Sequence, residues 1–76
     1  MSADDAELQR LIHKANQVAG FFGAQPHIDA AEAVTDHILK FWSPRLRAQA
    51  IAYLDEGGEG LAPLAKEALE RIRPVS

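Results

Sequence analysis

Proline and glycine constrain this chain more than any other feature, because they divide its 76 residues into four short segments. Proline disfavours the helical conformation in the residue before it and suits the first turn of a helix, whereas glycine closes helix ends. These residues stand at Gly23, Pro26, Pro44, Gly57, Gly58, Pro63 and Pro74. Each segment between them is long enough for one helix. The pattern therefore predicts a chain of short helices joined by short connections.

Apolar residues within the segments recur at intervals of three and four, which places them on one face of a helix. No stretch alternates with the period of two that a strand requires. We expect an all-α fold, a compact bundle of four short helices forming a single domain over residues 1–76. The predicted helices cover residues 3–22, 30–42, 44–56 and 63–73.

Polar residues before the helical segments predict the helix caps. Ser2, Asp29 and Ser43 have side chains that can accept a hydrogen bond from the first turn of the helix that follows. Pro74 is expected to end the fourth helix. In the second helix the predicted buried stripe contains four residues, and Trp42 widens one edge of it. These four are Ala30, Val34, Ile38 and Phe41.

Composition excludes several classes of protein. A net charge of −3 and a pI near 5.5 argue against a nucleic-acid-binding protein, which usually has a basic face. The chain contains no cysteine, so disulfides and thiolate metal sites are excluded. No segment approaches the ~20 apolar residues that span a bilayer, and the acidic N-terminus has the wrong sign for a signal peptide. We expect a cytoplasmic protein that binds no membrane.

The residues that usually carry chemistry are poorly placed for it. His13, His27 and His37 do not have the spacing that would bring two of them to one helix face, so no metal site is predicted. The serines lie at caps and at the C-terminus, and no cysteine is available as a nucleophile. We predict no catalytic residue and no bound cofactor. The alternative for each histidine is an ordinary surface or half-buried side chain.

One face of the first helix carries an unexplained aromatic residue. Phe21 lies off the buried stripe and shares its side of the helix with Gln17 and Lys14. An aromatic ring beside an amide and a cation is typical of a protein–protein contact surface. The alternative is that Phe21 packs beneath the loop at residues 23–27.

The bend after the second helix is the second candidate surface. Trp42, Pro44, Arg45 and Arg47 place an indole and two guanidinium groups around a rigid corner. Tryptophan and arginine are the residue types most enriched at binding hot spots. The alternative is that Trp42 belongs to the core and the arginines are ordinary surface charges.

Three strings of this sequence resemble the delta subunit of NAD-dependent, molybdenum-containing formate dehydrogenases. They are the Ala-Asn-Gln-Val string at residues 15–18 with Phe21 and Phe22 behind it, the string at residues 37–47, which contains Phe-Trp-Ser-Pro-Arg-Leu-Arg, and the string at residues 57–64, which begins Gly-Gly-Glu-Gly-Leu. Their order and spacing match over roughly residues 8–72. Lys14 and Leu46 stand where the family pattern has methionine, and Ala62 stands where it has a serine cap.

The resemblance implies a non-redox accessory subunit. In that family the large subunit holds the molybdenum centre and iron–sulfur clusters, and the delta subunit supports assembly, cofactor maturation or stability of the complex. The expected partner is this large catalytic subunit. The residues predicted to bind it are Asn16, Gln17, Phe21, Trp42, Pro44, Arg45 and Arg47. The alternative function is an independent helical interaction module that forms a homodimer through the same surface.

Overall fold

The computed structural model describes residues 3–73, and within this range it contains helices and no strand. The helices are α1 (Ala3–Gly23), α2 (Ala30–Phe41), α3 (Pro44–Asp55) and α4 (Pro63–Ile72). The predicted all-α fold is therefore confirmed. The predicted bounds differ from these by one residue at the C-terminal end of each helix. The predicted cap at Ser2 and the predicted stop at Pro74 lie outside the described residues.

Side-chain caps define the starts of α2 and α3. The Asp29 carboxylate accepts a hydrogen bond from the backbone N–H of Glu32 at 3.1 Å. The Ser43 hydroxyl oxygen accepts one from the N–H of Leu46 at 3.1 Å, and Pro44 occupies the first turn of α3. Each cap pairs a backbone donor that the helix itself leaves unpaired.

The core lies between α2, α4 and α1, with α3 packed mainly against α4. Its centre is formed by Val34, Ile38 and Leu69, whose side chains are fully buried. Alanines at positions 15, 19, 50, 65 and 68 are also buried, which lets the helices approach closely. The core is small, as expected when a chain of this length buries only about 60% of the surface that it exposes when unfolded.

Two glycines close α3 in a Schellman arrangement. The N–H of Gly58 donates to the Tyr53 carbonyl and the N–H of Gly57 to the Leu54 carbonyl, both at 3.0 Å. Gly58 is buried with φ +63°, and a Cβ there would lie 3.3 Å from side-chain atoms of Leu54 and Lys66. The loop therefore requires glycine at this position for both conformation and space.

Asn16 joins α1 to the loop that precedes α4. Its side-chain amide donates to the Gly60 carbonyl and its oxygen accepts from the N–H of Ala62, each at 2.8 Å. Ala62 is the cap residue of α4 and offers no side-chain cap of its own. Asn16 thus bonds the N–H of the cap residue, a role that glutamate at the third helical position plays in a capping box.

We expect Asn16→Ala to lower the free energy of unfolding by about 1–3 kcal/mol, because two backbone groups lose their partner. In a domain of this size each kcal/mol corresponds to about 4–8 °C in Tm. Thermal unfolding followed by circular dichroism measures the effect. Gln17→Ala is the matched control, since Gln17 is exposed and surface substitutions change stability by no more than about 0.5 kcal/mol. Equal Tm values for the two variants would contradict the assigned role of Asn16.

Candidate partner-binding surface

Trp42 is buried at the corner between α2 and α3, with 3% of its surface exposed. Its backbone N–H still donates to the Ile38 carbonyl at 3.0 Å, but its ψ of 139° is already extended. The indole therefore follows the inner face of α2 while the chain turns away towards Pro44. The Lys14 ammonium lies 5.9 Å from the centre of the ring. The interpretation of Trp42 as an exposed contact residue is wrong, and the alternative, a core tryptophan, holds.

Phe41 takes the opposite position to the one predicted: it is 71% exposed rather than part of the buried stripe. The buried positions of α2 are Ala31, Val34 and Ile38, and Trp42 continues this line by a step of four. At 100° per residue, Phe41 falls roughly 60° to one side of the line. Because Trp42 fills the space at the end of the stripe, Phe41 is left on the surface.

Aromatic rings form a continuous strip across the surface of α1 and α2. Phe21 packs edge-on against Phe22 with ring centres 5.0 Å apart, and Phe22 lies 5.9 Å from the ring of His37. His37 in turn lies 4.7 Å from the ring of Phe41. We call these four residues, Phe21, Phe22, His37 and Phe41, the aromatic strip.

The two ends of the aromatic strip face solvent. Phe21 is 62% exposed, so the alternative in which its own loop covers it does not hold. Gln17, one turn earlier on α1, is exposed as well. Phe22 and His37, in the middle of the strip, are half-buried. Large exposed aromatic residues in contact with one another mark a binding surface more often than isolated ones do.

The remaining predicted contact residues are divided between other parts of the molecule. Asn16 lies about 140° around α1 from Phe21 and is bonded to the α4 loop. Arg45 is exposed near the start of α3. Pro44 and Arg47 line a groove of about 510 Å³ between α3 and α4. The other residues of this groove are Ala48, Ile51, Ala52, Asp55 and Ile72.

Sequence reasoning missed the exposure of Phe41 and the contact of its ring with that of His37. The spacing of α2 does not decide between the two arrangements, because positions 30, 34, 38 and 41 and positions 31, 34, 38 and 42 each span an arc of about 80° around the helix. The proline two residues beyond Trp42 also suggested an exposed corner.

Among the side chains that the structure describes, no group of three or more His, Cys, Asp or Glu residues could hold a metal ion. None of the helices within residues 3–73 combines the length and apolar character that crossing a membrane requires.

Comparison with known protein families gives a match over most of the chain. The model of the family described as NADH-dependent formate dehydrogenase delta subunit, FdsD, matches residues 10–69. This range contains α2, α3, the aromatic strip and Asn16. Comparisons with curated proteins and with solved structures gave no significant match.

Burial of Trp42 can be tested directly, because it is the only tryptophan of the chain. We expect its fluorescence in the folded protein to lie at shorter wavelength than in urea and to be weakly quenched by iodide. A Phe41→Trp variant provides the control, since its added indole should be quenched readily. Strong iodide quenching of Trp42 in the folded wild-type chain would contradict the buried corner.

Because Phe41 is exposed and the inner face of α2 is buried, substitutions on this helix should differ in their effect on the free energy of unfolding. Phe41→Ala should change the free energy of unfolding by no more than about 0.5 kcal/mol, as for other exposed positions. Ile38 lies on the buried face of α2, one turn before Trp42. Ile38→Ala should lower the free energy of unfolding by about 2–5 kcal/mol through loss of buried contacts. Urea unfolding measures both, and a large loss for Phe41→Ala would place its ring in the core instead.

Proposed function

We propose, because this chain belongs to the FdsD family of NADH-dependent formate dehydrogenase delta subunits, that it is a non-catalytic accessory subunit. In this proposal it binds the large, molybdenum-containing catalytic subunit and supports assembly, cofactor maturation or stability of the complex. The observation that carries the proposal is the aromatic strip, which presents Phe21 and Phe41 to solvent.

Exposed aromatic rings support a binding role through their energetics. A phenylalanine that is removed from water gains free energy in proportion to the apolar area buried, about 25 cal/mol per Å². Rings already held in contact with one another lose less freedom on binding than flexible chains do. Phe21, Phe22, His37 and Phe41 meet this condition because each ring touches the next.

The size of the surface also suits a partner. A stable interface of standard size buries about 800 Å² on each side, which is about a sixth of the 5055 Å² that this chain exposes. The aromatic strip would form the apolar centre of such an interface, with Gln17 beside it. A domain with so small a core would gain stability from the area that a partner covers.

The other predicted contact residues have different parts in this proposal. Arg45, Pro44 and Arg47 lie on α3 and could extend the contact, with Arg47 and Pro44 at the α3–α4 groove. Asn16 and Trp42 do not touch the partner. They hold α1 and the α2–α3 corner from within, and so keep the aromatic strip in place.

Co-purification tests the proposal. The tagged chain, produced together with the formate dehydrogenase of its source, should recover the large catalytic subunit. Phe21→Ser with Phe41→Ser should reduce the affinity by about 700-fold or more, since two buried aromatic hot spots contribute at least about 2 kcal/mol each and each 1.4 kcal/mol corresponds to about a tenfold change. Circular dichroism of the double variant checks that it is still folded.

Leu39→Ser is the matched control, because Leu39 is also a large exposed apolar residue of α2, 47% exposed, but lies outside the strip. It should leave recovery unchanged. The proposal fails if the wild-type chain recovers no catalytic subunit. The choice of surface fails if Leu39→Ser weakens recovery as much as the double phenylalanine variant does.

A further inference from the structure

The charges beside the aromatic strip are the starting point for a further inference, which rests on the proposed function. Lys14 lies two turns before Phe21 on the same line of α1, and its ammonium stands 5.9 Å from the Trp42 ring. Lys40 lies three residues after His37 and next to Phe41 on α2. Both lysines are exposed, so the Phe41 end of the strip has a cation on either helix.

Neither lysine forms an ion pair with a carboxylate among the described side chains, although the ammonium group of Lys14 lies over the ring of Trp42. Among the side chains that the structure describes, the ion pairs lie elsewhere, from Arg71 to Glu67 and from Arg73 to Asp55 and Glu70. Lys14 and Lys40 therefore remain available to an external carboxylate. Their long apolar stems can lie along a partner's surface while the ammonium groups reach its rim.

Two acidic residues stand near the strip in sequence, and by helical position both lie farther from the aromatic rings than the lysines do. Asp36 lies one turn before Lys40 but about 140° around α2 from Phe41, and it forms no ion pair with Lys40 among the described residues. Glu7 lies on the same line of α1 as Lys14 but seven residues earlier, roughly 10 Å farther from Phe21 along the helix axis. The two lysines are therefore nearer to the exposed rings than these two carboxylates are, although the chain as a whole carries a net charge of −3.

We propose that the surface of the catalytic subunit that receives the strip is an apolar patch bordered by aspartate or glutamate side chains. The aromatic rings bind the patch, and Lys14 and Lys40 bind its acidic border. Complementary charge at the rim of an interface raises the association rate and selects the partner more than it raises the final affinity. The lysines therefore distinguish the correct docking face from other apolar surfaces.

A second copy of this chain fits the same surface poorly. A two-fold symmetric dimer places the same surface on both sides of the interface, so Lys14 and Lys40 of one copy would face a surface with the same cations. Like charges across an interface cost free energy. The charge pattern therefore favours an acidic partner over self-association.

The test measures binding of the full chain to formate dehydrogenase complex prepared without its delta subunit, at low and high salt. We expect the association rate of the wild-type chain to fall by about tenfold or more when ionic strength rises from about 0.05 to 0.5 M, because the rim charges are exposed and screened. Lys14→Glu with Lys40→Glu should show a similar loss at low salt and little further loss at high salt.

Arg71→Glu is the charge-reversal control, since Arg71 is an exposed cation on α4 outside the strip. Its association rate should be close to that of the wild-type chain. It changes the net charge by half as much as the double lysine variant does, and the comparison of rates takes this into account. Salt-independent binding, or equal rates for the lysine variant and the control, would overturn the acidic border while leaving the accessory function intact. Lysine variants that form tight dimers and no longer bind the complex would assign the strip to self-association instead. Absence of wild-type binding at every salt concentration would reject the proposed function itself.

Discussion

Burial of Trp42 is the constraint on which the rest of the molecule depends. The indole sits at the junction of α2 and α3 and is almost completely enclosed by the core. Pro44 ends the helical conformation before it, and the Ser43 cap starts α3 immediately after it. The chain must therefore change direction within two residues while the largest side chain of the sequence points inward. Phe41, one residue earlier, has no space left inside.

Residues that stabilise the fold and residues that face solvent thus stand close together in the sequence. Asn16 faces the α4 loop and accepts a hydrogen bond from the backbone N–H of Ala62, whereas Gln17 and Phe21 on the same helix face solvent. Trp42 supports the corner and Phe41 stands on the surface. Substitutions at adjacent positions are therefore expected to have different consequences, on folding in one case and on binding in the other.

Local signals were sufficient to predict the helices from sequence, and insufficient to predict the surface. Asp29, Ser43 and the Gly57–Gly58 pair determine helix ends by bonds within a few residues, so their effect can be recognised without knowledge of the fold. The exposure of Phe41 depends on which of two adjacent aromatic residues α4 and α1 enclose. Packing between distant segments determines which of the two is buried. The helical spacing alone is compatible with burial of Phe41, three residues after Ile38, and with burial of Trp42, four residues after it. The bond from Asn16 to a loop 46 residues away was equally invisible to local reasoning.

The central claim is that the catalytic subunit covers the aromatic strip on α1 and α2. Measuring the solvent accessibility of single side chains in the assembled complex tests this claim most directly. Hydroxyl-radical footprinting with mass spectrometry reports this for phenylalanine and leucine residues without any substitution. Phe21 and Phe41 should be oxidised readily in the free chain and protected in the complex, while Leu39 on the other edge of α2 keeps its reactivity. Protection of Leu39 with Phe21 and Phe41 still reactive would contradict the account.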